Sequence, residues 1–337
     1  MTAELPVLKI ENLSVHFPIR GTRRVVHACD EVSFQLMAGQ TLGLIGESGS
    51  GKTTIGRCTL RLLDPTSGSV LLKGEDISRL KRRQLRRLRA NMQIVFQEPL
   101  ESFSPALTVG SQIELPLRVF SGLNSSARKA RVFELLERVG VPTGSAGVLP
   151  SSLPAGVLQK CAIARALATD PQLLVLDEPT SALAPEAEAE VMELLGRLQR
   201  DSGLAYLFIS HNLSLVRSFC DLVAVMYLGQ IVELGPQSTV YDSPSHPYTQ
   251  ALLNSILRPD PRQRLERAGG RADLQGEIPS PIDLPPGCYL ATRCKFAVDR
   301  CHTERQELTE FEPGRQVRCW RVNELSGSSG PVASLPR

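Results

Sequence analysis

Aromatic residues and excess charge are both scarce in this 337-residue chain. Phe, Trp and Tyr make up 5% of the residues, which leaves few side chains on which nucleic-acid bases could stack. Lys and Arg outnumber Asp and Glu by only 38 to 35, so the chain lacks the strongly basic balance of a nucleic-acid-binding protein. The densest basic run, residues 81–89, fits the solvated face of a short helix better than a nucleic-acid contact. The composition therefore predicts no nucleic-acid partner.

Long apolar segments are also missing. Residues 1–14 carry Glu4, Lys9 and Glu11 and have no apolar core of the kind that a signal peptide has. The longest uncharged stretch, residues 141–159, is rich in Pro, Gly and Ser, which excludes it as a membrane-spanning helix. We therefore expect a cytosolic chain with eight cysteines that form no disulfides. A peripheral place on the cytoplasmic face of the cell membrane stays open, because the chain could still dock on a membrane protein.

The apolar pattern predicts an α/β protein with an appendage. Alternation predicts strands across residues 5–36, and strand and helix patterns flank a segment of helical spacing. We expect a first domain at 5–235 with a helical subdomain at 99–170, a Cys-bearing extension at 236–321 and a disordered tail at 322–337. The spacing predicts helices at 107–120, 126–139, 157–168 and 185–200.

The segment from Gly46 to Thr53 fits the phosphate-binding pattern G-x-x-x-x-G-K-[ST]. It follows an apolar run at 41–45 that reads as a buried strand, and the next helix would aim its free N–H groups at the same point. The glycines let the backbone curl round an anion, Lys52 reaches the β- and γ-phosphates, and the Thr53 hydroxyl binds Mg²⁺. A Gly/Ser-rich turn without a ligand is the alternative. The residues expected to contact ATP here are Gly46, Glu47, Ser48, Gly49, Ser50, Gly51, Lys52, Thr53 and Thr54.

Two carboxylates follow a second apolar run. Residues 173–176 read as a central parallel strand covered on both faces, and Asp177 and Glu178 come at its carboxyl end. Ligands of open α/β sheets bind at this edge, where the phosphate loop would also lie. Asp177 would hold Mg²⁺, and Glu178 would polarise the attacking water. Unless the acids only happen to end a strand, the pair favours hydrolysis over kinase chemistry.

The order of motifs resembles that of the ATPase subunits of ABC transporters. Gln97 follows a strand at 92–96, the helical segment comes next, and the acidic pair and then His211 follow. The resemblance implies a P-loop NTPase fold of the ABC type, with a RecA-like core, an antiparallel β subdomain and a helical subdomain. It also implies that Gln97 contacts Mg²⁺ or the attacking water, and that His211 contacts the γ-phosphate and holds Glu178. Phe17 stands where the family stacks an aromatic ring on adenine, with a place in the core as the alternative.

The C-terminal part of the chain narrows the resemblance. Residues 246–253, 276–281 and 285–288 are similar to the extension of peptide and nickel importer ATPases, in particular to the second of their two ATPase subunits. The similarity covers residues 5–321. It implies a second ATPase subunit, two transmembrane permease subunits and an extracytoplasmic substrate-binding protein as partners. Dipeptides, oligopeptides and nickel complexes all stay open as cargo.

Four of the cysteines lie in the extension, in the order Cys288-x5-Cys294-x6-Cys301-x17-Cys319. Thiolates bind soft metals, and four within one short segment can close a site. The spacing lacks the paired C-x2-C of most structural zinc sites. The family resemblance points to a 4Fe–4S cluster, with zinc and plain reduced thiols as the alternatives. We expect a structural role for a cluster, since no electron partner is visible.

The chain departs from the family in the signature segment, where L-S-G-G-Q is usual. It has Leu153, Pro154, Ala155, Gly156 and Val157 instead. In the family, two ATPases pair head to tail, so that each ATP lies between one phosphate loop and the partner's signature. Pro154 lacks both the hydroxyl and the N–H of the serine that it replaces, and Val157 lacks an amide side chain.

Ala184 likewise replaces the aspartate that links the two sites in the family. Losing one donor to a developing charge costs about 10²–10³ in rate, so the site completed by this signature should hydrolyse ATP poorly. The site with Lys52, Asp177 and Glu178 is completed by the partner's signature and keeps its own motifs. We therefore expect an asymmetric heterodimer with one active site. A nucleotide-holding subunit with negligible turnover is the alternative.

Overall fold

The computed structural model describes residues 5–255 and 274–326, which form two β-sheets with flanking helices. The strands are β1 (Leu8–Pro18), β2 (Val25–Leu36), β3 (Thr41–Ile45), β4 (Ser67–Leu72), β5 (Glu75–Asp76), β6 (Met92–Val95), β7 (Leu173–Asp177), β8 (Ala205–Ile209), β9 (Leu222–Tyr227), β10 (Gln230–Pro236), β11 (Thr309–Glu312) and β12 (Arg315–Val317). The α-helices are α1 (Lys52–Thr59), α2 (Arg82–Leu88), α3 (Pro99–Ser102), α4 (Val109–Phe120), α5 (Ser125–Arg138), α6 (Ala155–Leu167), α7 (Pro185–Ser202), α8 (Leu213–Phe219), α9 (Gln237–Asp242), α10 (Pro247–Asn254), α11 (Asp299–Thr303) and α12 (Val322–Ser326).

The larger sheet has the strand order β11-β12-β10-β9-β3-β8-β7-β6. Strands β9, β3, β8, β7 and β6 are parallel, whereas β10, β12 and β11 add antiparallel pairs at one side. Every residue of β3, β7 and β8 is buried, as expected for central strands with both faces covered. The carboxyl ends of these three strands therefore meet at one edge of the sheet.

The smaller sheet is antiparallel, in the order β2-β1-β4-β5. Its apolar face and one face of the larger sheet enclose a hydrophobic cluster together with α1. A second cluster lies on the opposite face of the larger sheet, where α4, α5, α6 and α7 pack. The phosphate loop lies between these two layers, because it joins the buried strand β3 to helix α1.

The four helices that the spacing predicts are observed, since α4, α5, α6 and α7 begin and end within two residues of the predicted bounds. The basic run forms α2, in which Leu85 is the buried residue and the Arg side chains at 82, 83, 86 and 87 are exposed. In the described part of the chain, no helix combines the length and the apolar character needed to cross a membrane.

The extension contributes β11 and β12 to the edge of the larger sheet, which the sequence pattern did not predict. Strand β12 pairs with β10, with Val317 opposite Glu233. The two are fastened by an ion pair of 2.7 Å between Arg315 and Glu233, both of them buried. Strand β11 is short, acidic and mostly exposed, so its sequence carries little strand signal. Helix α12 occupies the first residues of the segment expected to be disordered, and residues 327–337 lie outside the described residues.

Candidate active site

The phosphate loop is a turn whose backbone leaves no room for side chains at two positions. Gly46 has a φ of 148°, and a Cβ there would lie 2.2 Å from the Met226 carbonyl oxygen. Gly51 has a φ of 101°, and a Cβ there would lie 2.2 Å from the Ala28 carbonyl oxygen. Only glycine tolerates both the left-handed backbone and this close approach. The glycines that the motif places here are therefore required by the fold as well as by phosphate binding.

Lys52 places its ammonium group inside the loop. Its Nζ donates hydrogen bonds to the carbonyl oxygens of Gly46 (2.9 Å) and Glu47 (2.8 Å) and to the Ser50 hydroxyl (3.3 Å). Burial lowers the pKa of Lys52, and the nearby carboxylates, first Glu178, act in the opposite direction. The loop thus carries a largely enclosed positive charge, which suits the β- and γ-phosphates of a nucleotide.

Thr53 and Asp177, the two residues expected to hold Mg²⁺, meet at the edge of the sheet. The Thr53 hydroxyl donates a hydrogen bond of 3.1 Å to Asp177 Oδ1. Burial raises the pKa of Asp177, and the hydrogen bond from Thr53 opposes this effect. A hydroxyl oxygen beside a buried carboxylate oxygen is the donor set that Mg²⁺ uses together with substrate phosphates.

Gln97, the third expected Mg²⁺ ligand, lies at the same edge but is exposed. Strand β6 pairs with β7 in parallel, with Val95 opposite Leu176, so Gln97 comes at the level of Glu178. No hydrogen bond among the described residues joins Gln97 to Thr53 or Asp177. The sheet therefore brings Gln97 to the correct edge without a direct contact to the other two ligands.

Glu178 and His211 form a second contact at this edge. His211 Nδ1 lies 3.1 Å from Glu178 Oε2, with 64% of the His211 side chain and 19% of the Glu178 side chain exposed. Glu178 has a φ of 49°, a left-handed backbone that is uncommon for this residue type. Its N–H donates a 2.9 Å hydrogen bond to the Ile209 carbonyl oxygen, so the strand pairing fixes the turn. The geometry unites the two residues that the sequence placed 33 positions apart.

Phe17 lies near the end of β1, where it pairs with Val26 of β2, and 40% of it is exposed. A core position is therefore excluded, and its ring is free to face a ligand.

The segment expected to act as the signature, residues 153–157, leads into helix α6. Pro154 is the N-cap residue, and no side chain caps the helix there. Pro154 and Ala155 are exposed, whereas Gly156 lies so close to α7 that a Cβ would meet the Ala187 Cβ at 2.9 Å. Leu153 and Val157 are half-buried. The N-terminus of α6 thus presents backbone N–H groups without the usual hydroxyl.

Ala184 repeats this feature in the neighbouring helix. It is the N-cap residue of α7 and offers no capping side chain.

Gln159 connects helix α6 to the acidic pair, because its Nε2 donates a 2.7 Å hydrogen bond to the carbonyl oxygen of Pro179, next to Glu178.

Two residues of the extension contact the phosphate loop, and no sequence pattern predicts a role for either of them there. The Tyr248 hydroxyl accepts a hydrogen bond of 3.1 Å from the Glu47 N–H. Arg293 lies 4.0 Å from the Glu47 carboxylate and 5.9 Å from the Tyr227 ring centre. Tyr248 stands in the recognisable His-Pro-Tyr motif, but the motif says nothing about its contact 201 residues away.

All four cysteines of the extension line one small cavity of about 20 Å³. Backbone N–H groups point at three of the sulfurs: those of residues 290 and 291 at Cys288, 296 and 297 at Cys294, and 321 at Cys319. Among these described residues, no three sulfurs lie within 4.8 Å of one another. Burial raises the pKa of Cys288 to about 11 and that of Cys319 to about 12.

Two family profiles match the chain. The profile of the ABC transporter family matches residues 29–181, and that of the oligopeptide/dipeptide transporter C-terminal region matches residues 232–301. The probable peptide ABC transporter ATP-binding protein y4tS of Sinorhizobium fredii is 44% identical over 93% of this chain and 89% of its own length. The oligopeptide transport ATP-binding protein AppF of Bacillus subtilis is 44% identical over 93% of this chain and 96% of its own.

Solved structures show the same fold over about two thirds of the chain. The dimeric ABC transporter cassette MJ0796 has a TM-score of 0.63 at 27% identity and covers 68% of this chain and 98% of its own. The protein cbiO1 from Clostridium perfringens, part of an ABC transporter complex, has a TM-score of 0.62 at 28% identity and covers 71% and 91%. These similarities confirm the fold class and the resemblance that the motifs predict.

Proposed function

This chain belongs to the ATP-binding subunits of oligopeptide and dipeptide ABC transporters, and we propose that ATP hydrolysis at Glu178 powers peptide import. The observation that carries the proposal is the 3.1 Å contact between His211 and Glu178, beside the Thr53–Asp177 pair and the Lys52 ammonium. A base, a metal-binding pair and a phosphate cradle thus meet at one sheet edge.

Each residue then has a separate task. Lys52 and the N–H groups of the loop hold the phosphates, and Phe17 stacks on the adenine ring. Thr53 and Asp177 hold Mg²⁺, which neutralises charge on the phosphates when it is bound. Glu178 orients the attacking water.

His211 and Gln97 complete the site. His211 keeps the Glu178 carboxylate in position and reaches toward the γ-phosphate. Gln97, on the exposed side of this edge, reports the state of the nucleotide to the membrane subunits. Pro154, which replaces the serine of the signature at the N-cap of helix α6, then acts on the other composite site, because the signature reaches the partner's ATP.

We propose that the two ATP sites of the dimer differ because helices α6 and α7 begin at Pro154 and Ala184, which have no capping side chain. At Pro154 a hydroxyl and an N–H are missing, and each lost donor costs about 10²–10³ in rate at the site completed by this signature. The partner is accordingly a second ATPase with an intact signature, which completes the site built on Lys52 and Glu178. Two permease subunits and an extracytoplasmic binding protein supply the path and the selectivity, so the chain works at the cytoplasmic face of the membrane.

A second candidate function is a nucleotide-holding subunit with little turnover. The uncapped N-termini at Pro154 and Ala184 favour it, since both positions lack the polar side chain that would connect the two sites. The contact between His211 and Glu178 argues against it, because a holding site has no need of a positioned base.

The test is ATP hydrolysis by the complete transporter with Glu178→Gln, compared with the equivalent change in the partner ATPase. The matched control is Glu186→Gln, which alters an exposed carboxylate on α7. The proposal predicts a loss of at least about 10²-fold for Glu178→Gln and little change for the partner's variant or the control. If only the partner's change silences the complex, the chain is the nucleotide-holding subunit.

The four cysteines fit a 4Fe–4S cluster better than a single zinc ion, and we propose that they hold one. Zinc–sulfur bonds of about 2.3 Å bring four sulfurs close together, whereas here no three sulfurs lie within 4.8 Å. The N–H groups that point at Cys288, Cys294 and Cys319 would stabilise ligating thiolates, as hydrogen bonds do at iron–sulfur centres. A cluster would connect the segments of the extension and supply structural support.

Iron and acid-labile sulfide analysis after anaerobic purification tests the cluster. About four iron and four sulfide per chain, lost in Cys288→Ser and kept in Cys161→Ser, would support it. Cys161 is a suitable control because it lies in helix α6, outside the segment that carries the four cysteines. One zinc per chain without sulfide would contradict the proposal.

A further inference from the structure

The β1–β2 hairpin gathers two histidines and an aspartate at one point. His16 of β1 and His27 of β2 are directly paired in register, so their side chains share a face of the sheet. Asp30 follows three residues later, a spacing that places side chains on opposite faces of a regular strand. The register shifts between Val15 and His16, and such a bulge re-aims the side chains opposite it. One ligand atom from each of the three residues lies within 4.8 Å of the other two.

The distances between these atoms match the edges of a metal tetrahedron. His16 Nε2 lies 3.2 Å from His27 Nδ1 and 3.5 Å from Asp30 Oδ1. Ligands about 2.0–2.1 Å from a tetrahedral zinc ion are about 3.3–3.4 Å apart. We propose that His16, His27 and Asp30 form a binding site for a first-row transition-metal dication, with Zn²⁺ as the first candidate.

The donor set selects the class of metal. Two imidazole nitrogens and one carboxylate oxygen suit zinc and its neighbours in the series, whereas Mg²⁺ and Ca²⁺ prefer oxygen ligands. A quarter of the His16 side chain is exposed, so a metal ion held here would be within reach of solvent and would take water as its fourth ligand. Three protein ligands and one water form an open site.

A second layer of contacts orients the carboxylate. The Tyr289 hydroxyl donates a hydrogen bond to Asp30 Oδ2, and the Arg305 guanidinium lies 3.9 Å from the same oxygen. This leaves Oδ1 as the oxygen that faces His16. Outer partners of this kind hold metal ligands in position, and their loss typically weakens metal binding 10–100-fold.

The site would lie where the extension contacts the β1–β2 hairpin. Tyr289 belongs to the extension, and the His27 N–H donates a 2.9 Å hydrogen bond to the Pro281 carbonyl oxygen. The Asp30 N–H donates to the Gly229 carbonyl oxygen at 2.9 Å, and the Gly229 N–H donates to the Ser50 carbonyl oxygen at 3.1 Å. A metal ion here would therefore hold Asp30 in place, and Asp30 joins the extension through Tyr289 and the phosphate loop through two successive hydrogen bonds by way of Gly229.

Co²⁺ titration of the full-length protein is the test, because the spectrum of Co²⁺ reports its ligands. Nitrogen and oxygen ligands give visible d–d bands without the thiolate-to-metal charge-transfer band that the four cysteines would produce. We expect the wild type to bind one equivalent with the nitrogen and oxygen signature, which Zn²⁺ displaces. His16→Gln and His27→Gln should lose this equivalent, while His302→Gln, at an exposed position of α11, should keep it.

Tyr289→Phe keeps all three ligands, so it tests the site even if the histidine variants fail to fold. It should bind Co²⁺ about tenfold more weakly, since Asp30 loses its hydrogen-bonded partner. Equal Co²⁺ stoichiometry in the wild type and His16→Gln would overturn the proposal. So would a thiolate signature for all of the bound Co²⁺, or binding in the millimolar range that His302→Gln weakens as much as His16→Gln. In each of these cases, the two imidazoles form a hydrogen-bonded pair that holds no metal.

Discussion

The hydroxyl of Tyr248 accepts a hydrogen bond of 3.1 Å from the backbone N–H of Glu47. Tyr248 is the second residue of helix α10 in the extension, and Glu47 is the second residue of the phosphate loop. The hydroxyl is deeply placed, since Tyr248 is fully buried and its ring packs against Tyr227 with 4.6 Å between ring centres. The extension therefore supports the nucleotide-binding loop directly, in addition to its pairing with the sheet.

Replacing Tyr248 with Phe should raise the Kd for ATP about two- to tenfold. One hydrogen bond contributes about 0.5–1.5 kcal/mol, and its loss leaves the Glu47 N–H without its partner and the loop less well fixed. Isothermal titration with a non-hydrolysable ATP analogue measures the change. Tyr241→Phe is the control, because it removes a hydroxyl that donates to the Leu213 carbonyl oxygen. Tighter binding by Tyr248→Phe would mean that the hydroxyl competes with phosphate for this N–H.

His211→Ala should slow ATP hydrolysis through Glu178 more than it weakens ATP binding. The His211 ring lies 3.1 Å from the carboxylate, so its loss frees Glu178 to turn away from the water. Because the two residues act as a unit, the double variant Glu178→Gln/His211→Ala should be no slower than Glu178→Gln alone. Single-turnover rates of the three variants give the comparison. Additive losses would contradict a positioning role for His211.

His246 should make the protein less stable as the pH falls below 6.5. This residue is fully buried, and burial lowers its pKa from 6.5 to about 3, with the backbone of Arg318 acting in the opposite direction. The unfolded chain takes up this proton near pH 6.5, whereas the folded chain resists it down to about pH 3. The contribution of the neutral His246 side chain to the free energy of unfolding is therefore complete above pH 6.5. It is lost as the pH falls from 6.5 toward 3, by up to about 1.4 kcal/mol per pH unit.

His246→Asn tests this component. Asn keeps an N-cap acceptor for the Tyr248 N–H, which His246 Nδ1 now binds at 3.1 Å, but it cannot take up a proton. The melting temperature of this variant should fall less steeply than that of the wild type between pH 6.5 and pH 4. His302→Asn, at an exposed position, should follow the wild type. Parallel curves for all three proteins would show that His246 does not contribute.

Ala184→Asp should stabilise the protein by about 1 kcal/mol. Position 184 is the N-cap of α7. An Asp there accepts a hydrogen bond from a backbone N–H of the first turn, and its negative charge interacts favourably with the positive end of the helix dipole. Thermal unfolding measures the gain. Ala189→Asp makes the same chemical change on the exposed face of α7 and should give no gain, because Asp has low helix propensity in an interior position. Equal effects of the two variants would exclude capping as the cause.

The fold was largely predictable because its strongest signals are local. The runs that form β3 and β7 are uninterrupted and apolar, and the helices α4 to α7 have regular spacing over 12 to 18 residues. Strands β11 and β12 could not be predicted in this way, since they have only four and three residues and β11 is mostly exposed. Their place on the sheet depends on the pairing of β12 with β10 and on the buried pair of Arg315 and Glu233.

The sequence by itself determined the phosphate loop and the acidic pair, because each depends on a few consecutive residues and on the strand that precedes them. Tertiary structure alone decided which distant groups meet. Tyr248 reaches Glu47 across 201 residues, and Tyr289 reaches Asp30 across 259. Such contacts depend on strand register and on the packing of the extension against the hairpin, and neither is encoded in the spacing of a motif. For the same physical reason, the 3.2 Å approach of His16 to His27 became visible only in the folded hairpin.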